Sequence, residues 1–269
     1  MRIRVFHETK LAFSGPTRSL HLALRLTPRS FDSQYVLRWR VGCDLDGALR
    51  PREDAFGSIV HGFSWHKPIE SVTVTVSGEV ETSDKVGVVR GAVETLPPDI
   101  YLRTSPHALA NSALREFAEG VGGADPLDRL HRLMEATHEA LVYEPGFGGE
   151  ATATEAFALK KGGAADFAHV FIAAARSFGA PARFVTGYRV ADGAADGHDM
   201  FAWAEAFAPQ LGWVAFDAAN NLCANDRYIR VAAGLDVKDA APVRHWVNAG
   251  ETAITANLRV EQASAQGQN

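Results

Sequence analysis

The sequence predicts an α+β chain, with an antiparallel β-sandwich-like domain first and a unit of mixed helices and strands after it. Residues 2–81 place apolar side chains with a period of two. Residues 106–141 place them at helical spacing, and from residue 182 onward short runs of strand-forming residues return. At 269 residues, 46% hydrophobic and 22% charged, the chain can bury a sizeable core and has the balance of an ordinary globular protein.

In order, Met1-Arg2-Ile3-Arg4-Val5 opens directly into a strand. Leu20, Leu22, Leu24 and Leu26 then alternate with other residues, and residues 35–41 and 71–81 repeat the strand pattern. Turn chemistry separates these runs at Thr27-Pro28-Arg29-Ser30, Asp44-Leu45-Asp46-Gly47 and Asp54-Ala55-Phe56-Gly57. Thr95-Leu96-Pro97-Pro98-Asp99 is a proline-stiffened link, so a domain is expected over 1–95 and a second over 96–262. The second starts with helices over 106–118 and 126–141, each with proline near its first turn. An apolar helix from Ala164 to about Phe178 and a strand over 182–189 follow. Strands around Trp203 and Trp213, then over 228–234 and 253–260, are expected to complete its sheet. Residues 263–269 read as a disordered tail.

The composition excludes several functions. A net charge of -5 provides no footprint for nucleic acid or an anionic membrane. No apolar run approaches a membrane span, and no secretory leader is evident. Two cysteines, Cys43 and Cys223, are too few for a disulfide framework and fit a reducing compartment, so the expected location is the cytoplasm. No cofactor or metal is expected. Gly162 and Gly163 lack the lysine and spacing of a phosphate loop, and acidic loops such as Asp192–Asp199 usually stay in water.

The chemistry-bearing stretch is Gly162-Gly163-Ala164-Ala165-Asp166-Phe167-Ala168-His169, followed by a buried helix and a strand ending in Gly187-Tyr188. A second is Phe201-Ala202-Trp203, running into Gly212-Trp213-Val214-Ala215-Phe216-Asp217. Together these resemble the bacterial transglutaminase-like family, a papain-like cysteine-protease fold. Phe6-His7-Glu8-Thr9, Leu26-Thr27-Pro28-Arg29 and Phe63-Ser64-Trp65 resemble the N-terminal region of the same family. In that resemblance the nucleophilic cysteine falls on Ala164, the histidine on Phe201 and the aspartate on Asp217. Only Asp217 is in place. A single missing residue is what an engineered knock-out shows; two of three, with Ala165 beside them, read as natural loss.

These losses matter because the thiolate nucleophile is supplied by an adjacent imidazolium, which the aspartate only orients. Alanine has no nucleophilic atom and phenylalanine moves no proton. The resemblance therefore implies a pseudoenzyme that binds a peptide or protein, with ATP-grasp-type ligases or a transglutaminase-like paralogue as candidate partners. Asp166, His169, His198, Trp203 and Trp213 are the residues expected around its cleft. For Asp166 a helix-capping role, and for His169 packing behind the site, are the plainer readings. The alternative is an active amide hydrolase or acyl transferase using displaced residues such as His198, Asp199, Cys223 or Asp217, or a nucleophile knock-out of one. Both cysteines read as structural.

Overall fold

The structure is a computed structural model that describes residues 1–145, 151–191, 200–248 and 250–263. The N-terminal unit is a two-sheet sandwich. Strands β1 (Arg2–Thr17), β2 (Leu20–Thr27), β3 (Gln34–Cys43), β4 (Arg50–Glu53), β5 (Ile59–Trp65) and β6 (Ile69–Thr82) supply most of it. In β1 the residues Ile3, Val5, His7, Thr9 and Leu11 point inward and their neighbours outward, as the period of two requires. Leu20, Leu22, Leu24 and Leu26 of β2 meet Val72, Val74 and Val76 of β6 between the sheets. Burying each such side chain contributes about 1.5–3 kcal/mol.

Beyond β7 (Val88–Val89) and a short 3-10 turn, Pro98–Leu102, the second unit begins. Its elements are α1 (Ser112–Gly120), α2 (Pro126–Ala140), β8 (Val142–Tyr143), α3 (Ala153–Leu159), β9 (Lys161–Gly162), α4 (Ala164–Ser177), β10 (Ala182–Arg189), β11 (Phe201–Ala208), β12 (Gly212–Asp217), β13 (Leu222–Cys223) and β14 (Tyr228–Gly234). β13-β12-β11-β10-β14 form an antiparallel sheet, with β7 pairing onto β12. Helix α4 packs across it. Every residue of α4 from Asp166 to Arg176 is buried, because α1, α2 and α3 cover the side away from the sheet. Both α4 and β11 present alanines, Ala173–Ala175 and Ala202, Ala204 and Ala206, which let helix and sheet approach closely.

Two expectations are corrected. Residues 106–110 are not helical. The first helix starts at Ser112, because Asn111 accepts a hydrogen bond from Leu114 N (3.0 Å) and fixes the N-terminus there. The strand expected over 253–260 does form, as β16 (Thr252–Gln262), but it pairs with β1, and β15 (Val243–Val247) pairs with β2. The chain thus returns to finish both sheets of the sandwich, β16-β1-β6-β3 and β15-β2-β5-β4, instead of extending the second sheet. Both β1 and β2 would otherwise expose an unpaired edge. Of the expected tail, Ala263 donates to Arg2 O (2.8 Å), and residues 264–269 lie outside the described residues.

The two units share a polar seam. His7 bridges Tyr188 Oη (3.2 Å) and Thr9 Oγ1 (3.0 Å), and Gln34 exchanges hydrogen bonds with the Arg230 backbone (2.9 and 2.7 Å). Burial pushes His7 down to about 4 and His169 down to about 3. Guanidinium groups of Arg2, Arg38 and Arg4 hold Glu79 at about 2, against the opposing effect of its burial. The sign of the pH dependence follows. Above pH 6.5 the buried neutral histidines cost nothing extra. Below it the unfolded chain takes up protons that the folded chain refuses, so stability falls as pH drops from about 6.5 toward 4 and 3. Loss of the Glu79 contribution continues below 4.5, toward 2; Asp217, whose carboxyl is raised by burial, works the other way. Urea midpoints measured from pH 7 to pH 4 are expected to fall steadily, and His7→Gln to flatten that fall. A flat profile in the unmodified protein contradicts the assignment.

Candidate functional site

Gly163 is the N-cap of α4, and the Asp166 carboxylate reaches back to accept from Gly163 N (2.9 Å). Gly162 must lack a side chain, since a Cβ there would lie 2.5 Å from the Asp166 Cβ. This turn sets Ala164, half-buried, as the first helical residue, where unpaired backbone N–H groups and the helix dipole would favour a thiolate if one were present.

Phe201 starts β11 opposite Gly187 of β10, and Asp217 ends β12. Along β11, Ala202, Ala204 and Ala206 face α4, so Phe201, Trp203 and Glu205 project toward the other side of the sheet; Asp217 does likewise after Phe216. Gly187 makes room for this face, because a Cβ there would meet Ile229 O at 2.0 Å and the Trp203 ring at 2.6 Å. The Asp217 carboxylate is almost fully buried. It accepts hydrogen bonds from Tyr228 Oη (2.6 Å), Asn220 Nδ2 (2.7 Å) and Asn220 N (3.1 Å). Burial raises its proton affinity, opposed by these hydrogen bonds and by Arg189. The Arg189 guanidinium lies 5.3 Å from the Phe201 ring and 5.8 Å from the Tyr228 ring, and Phe201 and Tyr228 are 6.2 Å apart edge to face. Burial and the Asp217 charge push both the Tyr143 and Tyr228 hydroxyls upward, which keeps them protonated. The corner is an aromatic enclosure around one satisfied carboxylate and one cation. Among the described residues it offers no group able to attack a carbonyl.

The other expected cleft residues scatter. Asp166 is consumed in the α4 cap and fully buried. His169 is also fully buried, stacked on Phe184 (4.7 Å) and accepting from Val237 N (3.2 Å), so it serves packing behind the helix and cannot line a cleft. Trp203 lies edge to face with Tyr228 (5.5 Å) on the Asp217 side of the sheet. Trp213 sits at the far end of β12, with the Arg183 guanidinium 3.9 Å above its ring. His198 and Asp199, with Asp192 and Asp196, lie outside the described residues. Tyr228, Asn220, Arg189 and Tyr143 were not anticipated from sequence; the one available signal was the parity that sets Tyr228 and Arg230 on one face of β14.

The two thiols are elsewhere. Cys43 is in β3 of the sandwich, its pKa raised by burial. Cys223 was read as structural, yet its Sγ lies 3.5 Å from His131 Nε2. His131 Nδ1 is 3.0 Å from Leu127 O, an acceptor only, so Nδ1 carries the proton and Nε2 receives the S–H. Burial and the Asp84 charge push Cys223 up to about 11, so this is a neutral thiol, not an ion pair. Cys223 pairs across from Phe216, which puts it on the α2 side of the sheet and Asp217 on the other.

Among the described residues no cluster of three or more His, Cys, Asp or Glu converges to hold a metal, and no helix is long and apolar enough to cross a membrane. An uncharacterized protein of Mycobacterium leprae is 28% identical over 97% of this chain and 98% of its own length. One of Mycobacterium tuberculosis H37Rv is 26% identical over 96% of this chain and 92% of its own. A crystal structure from Cytophaga hutchinsonii, described as a proposed cysteine protease, superposes over all of this chain and 92% of its own with a TM-score of 0.78 at 19% identity, which shows a shared fold. Residues 3–81 match the bacterial transglutaminase-like N-terminal region and residues 115–218 the transglutaminase-like superfamily core. With both regions in this order on one chain, and the fold to match, the protein belongs to the bacterial transglutaminase-like family.

Proposed function

We propose that this chain is a transglutaminase-like pseudoenzyme: it keeps the papain-like scaffold, has lost covalent catalysis and acts by binding a peptide or protein. One observation carries the reading. The aspartate that should orient a histidine is instead closed off by Tyr228 and Asn220, while alanine stands at the helix N-terminus that should carry the nucleophile. A carboxylate whose lone pairs are taken by neutral donors has no imidazolium to stabilise. The enclosed, aromatic corner suits recognition better than proton transfer. The resemblance adds candidate partners, an ATP-grasp-type ligase or a transglutaminase-like paralogue, and two unpaired cysteines favour a cytoplasmic setting.

The expected result is no hydrolysis of peptide amides and no acyl transfer to amines above the solvent rate, with or without prior alkylation of Cys43 and Cys223. Turnover that survives alkylation sinks the proposal. The thiol–imidazole contact of Cys223 with His131 favours a second reading, a thiol-dependent amidase working from the α2 side of the sheet. Against it stand the raised thiol pKa of about 11 and a histidine whose second nitrogen bonds a backbone carbonyl, not a carboxylate. Turnover abolished by alkylation and by Cys223→Ser would establish that reading instead.

A further inference from the structure

The outer face of the sheet β15-β2-β5-β4 gathers cations on a chain whose net charge is -5. The strand registers build it row by row. Trp246 of β15, His21 of β2 and Ser64 of β5 stand side by side, and Arg244, Ala23, Gly62 and Arg50 form the next row. Arg52, opposite Val60, follows on β4. We infer that this face docks an acidic segment of a peptide or protein, whose carboxylates take the Arg50, Arg52 and Arg244 guanidinium groups while its chain lies over Ala23 and Gly62. None of these residues belongs to the Asp217 corner, so the inference stands whether or not the chain is inert.

The face is shaped as well as charged. Ala23 and Gly62 give it a low floor, walled by arginines on the two edge strands β15 and β4, which run roughly 14 Å apart. One wall leans in: Arg52 Nη2 lies 3.8 Å from where a Gly62 Cβ would stand. On the other, the Arg244 guanidinium lies 5.3 Å from the ring centre of Trp246, which is 50% exposed. Arg50, Arg52 and Arg244 are exposed, and among the described residues none has an acid within ion-pairing distance. Other arginines of the sandwich do find one. Arg2, Arg4 and Arg38 share Glu79, while Arg25 holds Asp54 and Arg29 holds Glu53, so the acids nearest this face are spent. Asp239, which senses the charges of Arg25 and Arg244, is turned to Leu235 N (3.1 Å). Like charges gathered on one sheet face repel, and an anion that answers them relieves this. A guanidinium takes a carboxylate through two parallel N–H···O bonds. Charge on edge strands also deters edge-to-edge pairing, but that role needs neither an open floor nor a half-exposed tryptophan. A nucleic acid fits less well, because the field of the whole chain is negative and three arginines make no track for a phosphate backbone.

The test is a fluorescence-anisotropy titration of the full chain against a labelled short peptide that alternates Glu and Thr and is blocked at both ends. The comparison probes are the same peptide with Gln for Glu and a single-stranded oligonucleotide of equal net charge, at matched ionic strength. The Glu peptide should bind with a Kd on the order of 10–100 μM at low salt, weakening as salt rises. The Gln peptide should bind at least about tenfold more weakly. Arg52→Gln and Arg244→Gln should each weaken binding of the Glu peptide about threefold to fivefold. Arg40→Gln, which removes an exposed charge from β3 on the other sheet, should leave it unchanged. Equal binding of the Glu and Gln peptides, no binding up to about 1 mM, or equal losses from Arg40→Gln and Arg52→Gln overturns the inference and leaves the arginines as edge protection. An oligonucleotide that binds more tightly than the Glu peptide, and loses affinity with Arg52→Gln, also overturns it and names a nucleic acid as the occupant. The peptide comparison uses the unmodified protein, so it decides even where a variant does not fold.

Discussion

Replacing Glu205 by glutamine is expected to lower the unfolding free energy by about 3–5 kcal/mol, the usual cost of leaving a buried cation without its partner. Glu205 is completely buried between Arg183 (2.6 Å) and Arg230 (2.7 Å), and these guanidinium groups hold its carboxyl at about 2 despite the burial that works against them. Arg183 is itself 1% exposed, lies over Trp213 and bonds Glu94 (2.7 and 2.9 Å), whose side chain is one-third exposed. Glutamine keeps the shape and removes the charge, so Arg183 would depend on the partly solvated Glu94 alone. Urea unfolding followed by far-UV circular dichroism measures the loss, with a Tm drop of about 6–15 °C. Arg2→Ala, at a half-exposed arginine on Glu79, should cost under about 1 kcal/mol, because two other arginines remain and water screens the site. If Glu205→Gln costs no more than Arg2→Ala, the buried network does not hold the sheet as argued.

If the proposed reading holds, installing two side chains is expected to create covalent chemistry, where one alone will not. Ala164→Cys places a thiol at a helix N-terminus, which lowers its pKa somewhat from the free value of about 8.5, but Phe201, where the resemblance puts the base, cannot take its proton. Adding Phe201→His should lower the thiol pKa by at least about one unit and raise hydrolysis of a peptide amide roughly 10²–10³-fold over the single variant. Asp217 is engaged with Tyr228 and Asn220, so adding Tyr228→Phe should free it to orient the new imidazole and raise turnover again. The thiol pKa, read from the pH dependence of alkylation, is the stringent measure. If it is the same in the single and the double variant, Ala164 and Phe201 do not face one cleft.

Much of the second unit was legible in the sequence because its signals are local. Asp125 accepts from Asp128 N (2.9 Å) and proline follows it at the first turn, which starts α2 where expected. The continuous apolar run of α4 and the Gly162-Gly163 turn before it define a buried helix with a fixed start. Alternation fixed which side of β1 and β2 is buried. Strand partners were not legible. The alternation of β16 is the same whichever sheet it joins; its pairing with β1, on the side that β6 does not occupy, is a tertiary fact. Residues 106–110 misled for a related reason, since apolar spacing continues through them while the Asn111 cap, a single side-chain hydrogen bond, decides where the helix starts.

The site divides in the same way. Sequence alone determined that alanine and phenylalanine stand at 164 and 201, where the resemblance puts a nucleophile and its base, because residue identity is a local property that folding does not change. Only the tertiary structure decided what surrounds Asp217. Tyr228 is eleven residues beyond Asp217 and on another strand, and the sheet, not any motif, brings its hydroxyl to 2.6 Å from that carboxylate. The same holds for the Cys223–His131 contact and the Glu205 network: each joins groups far apart in the chain. A sequence records which groups are present, but their distances, and with them their protonation and their partners, are set by packing.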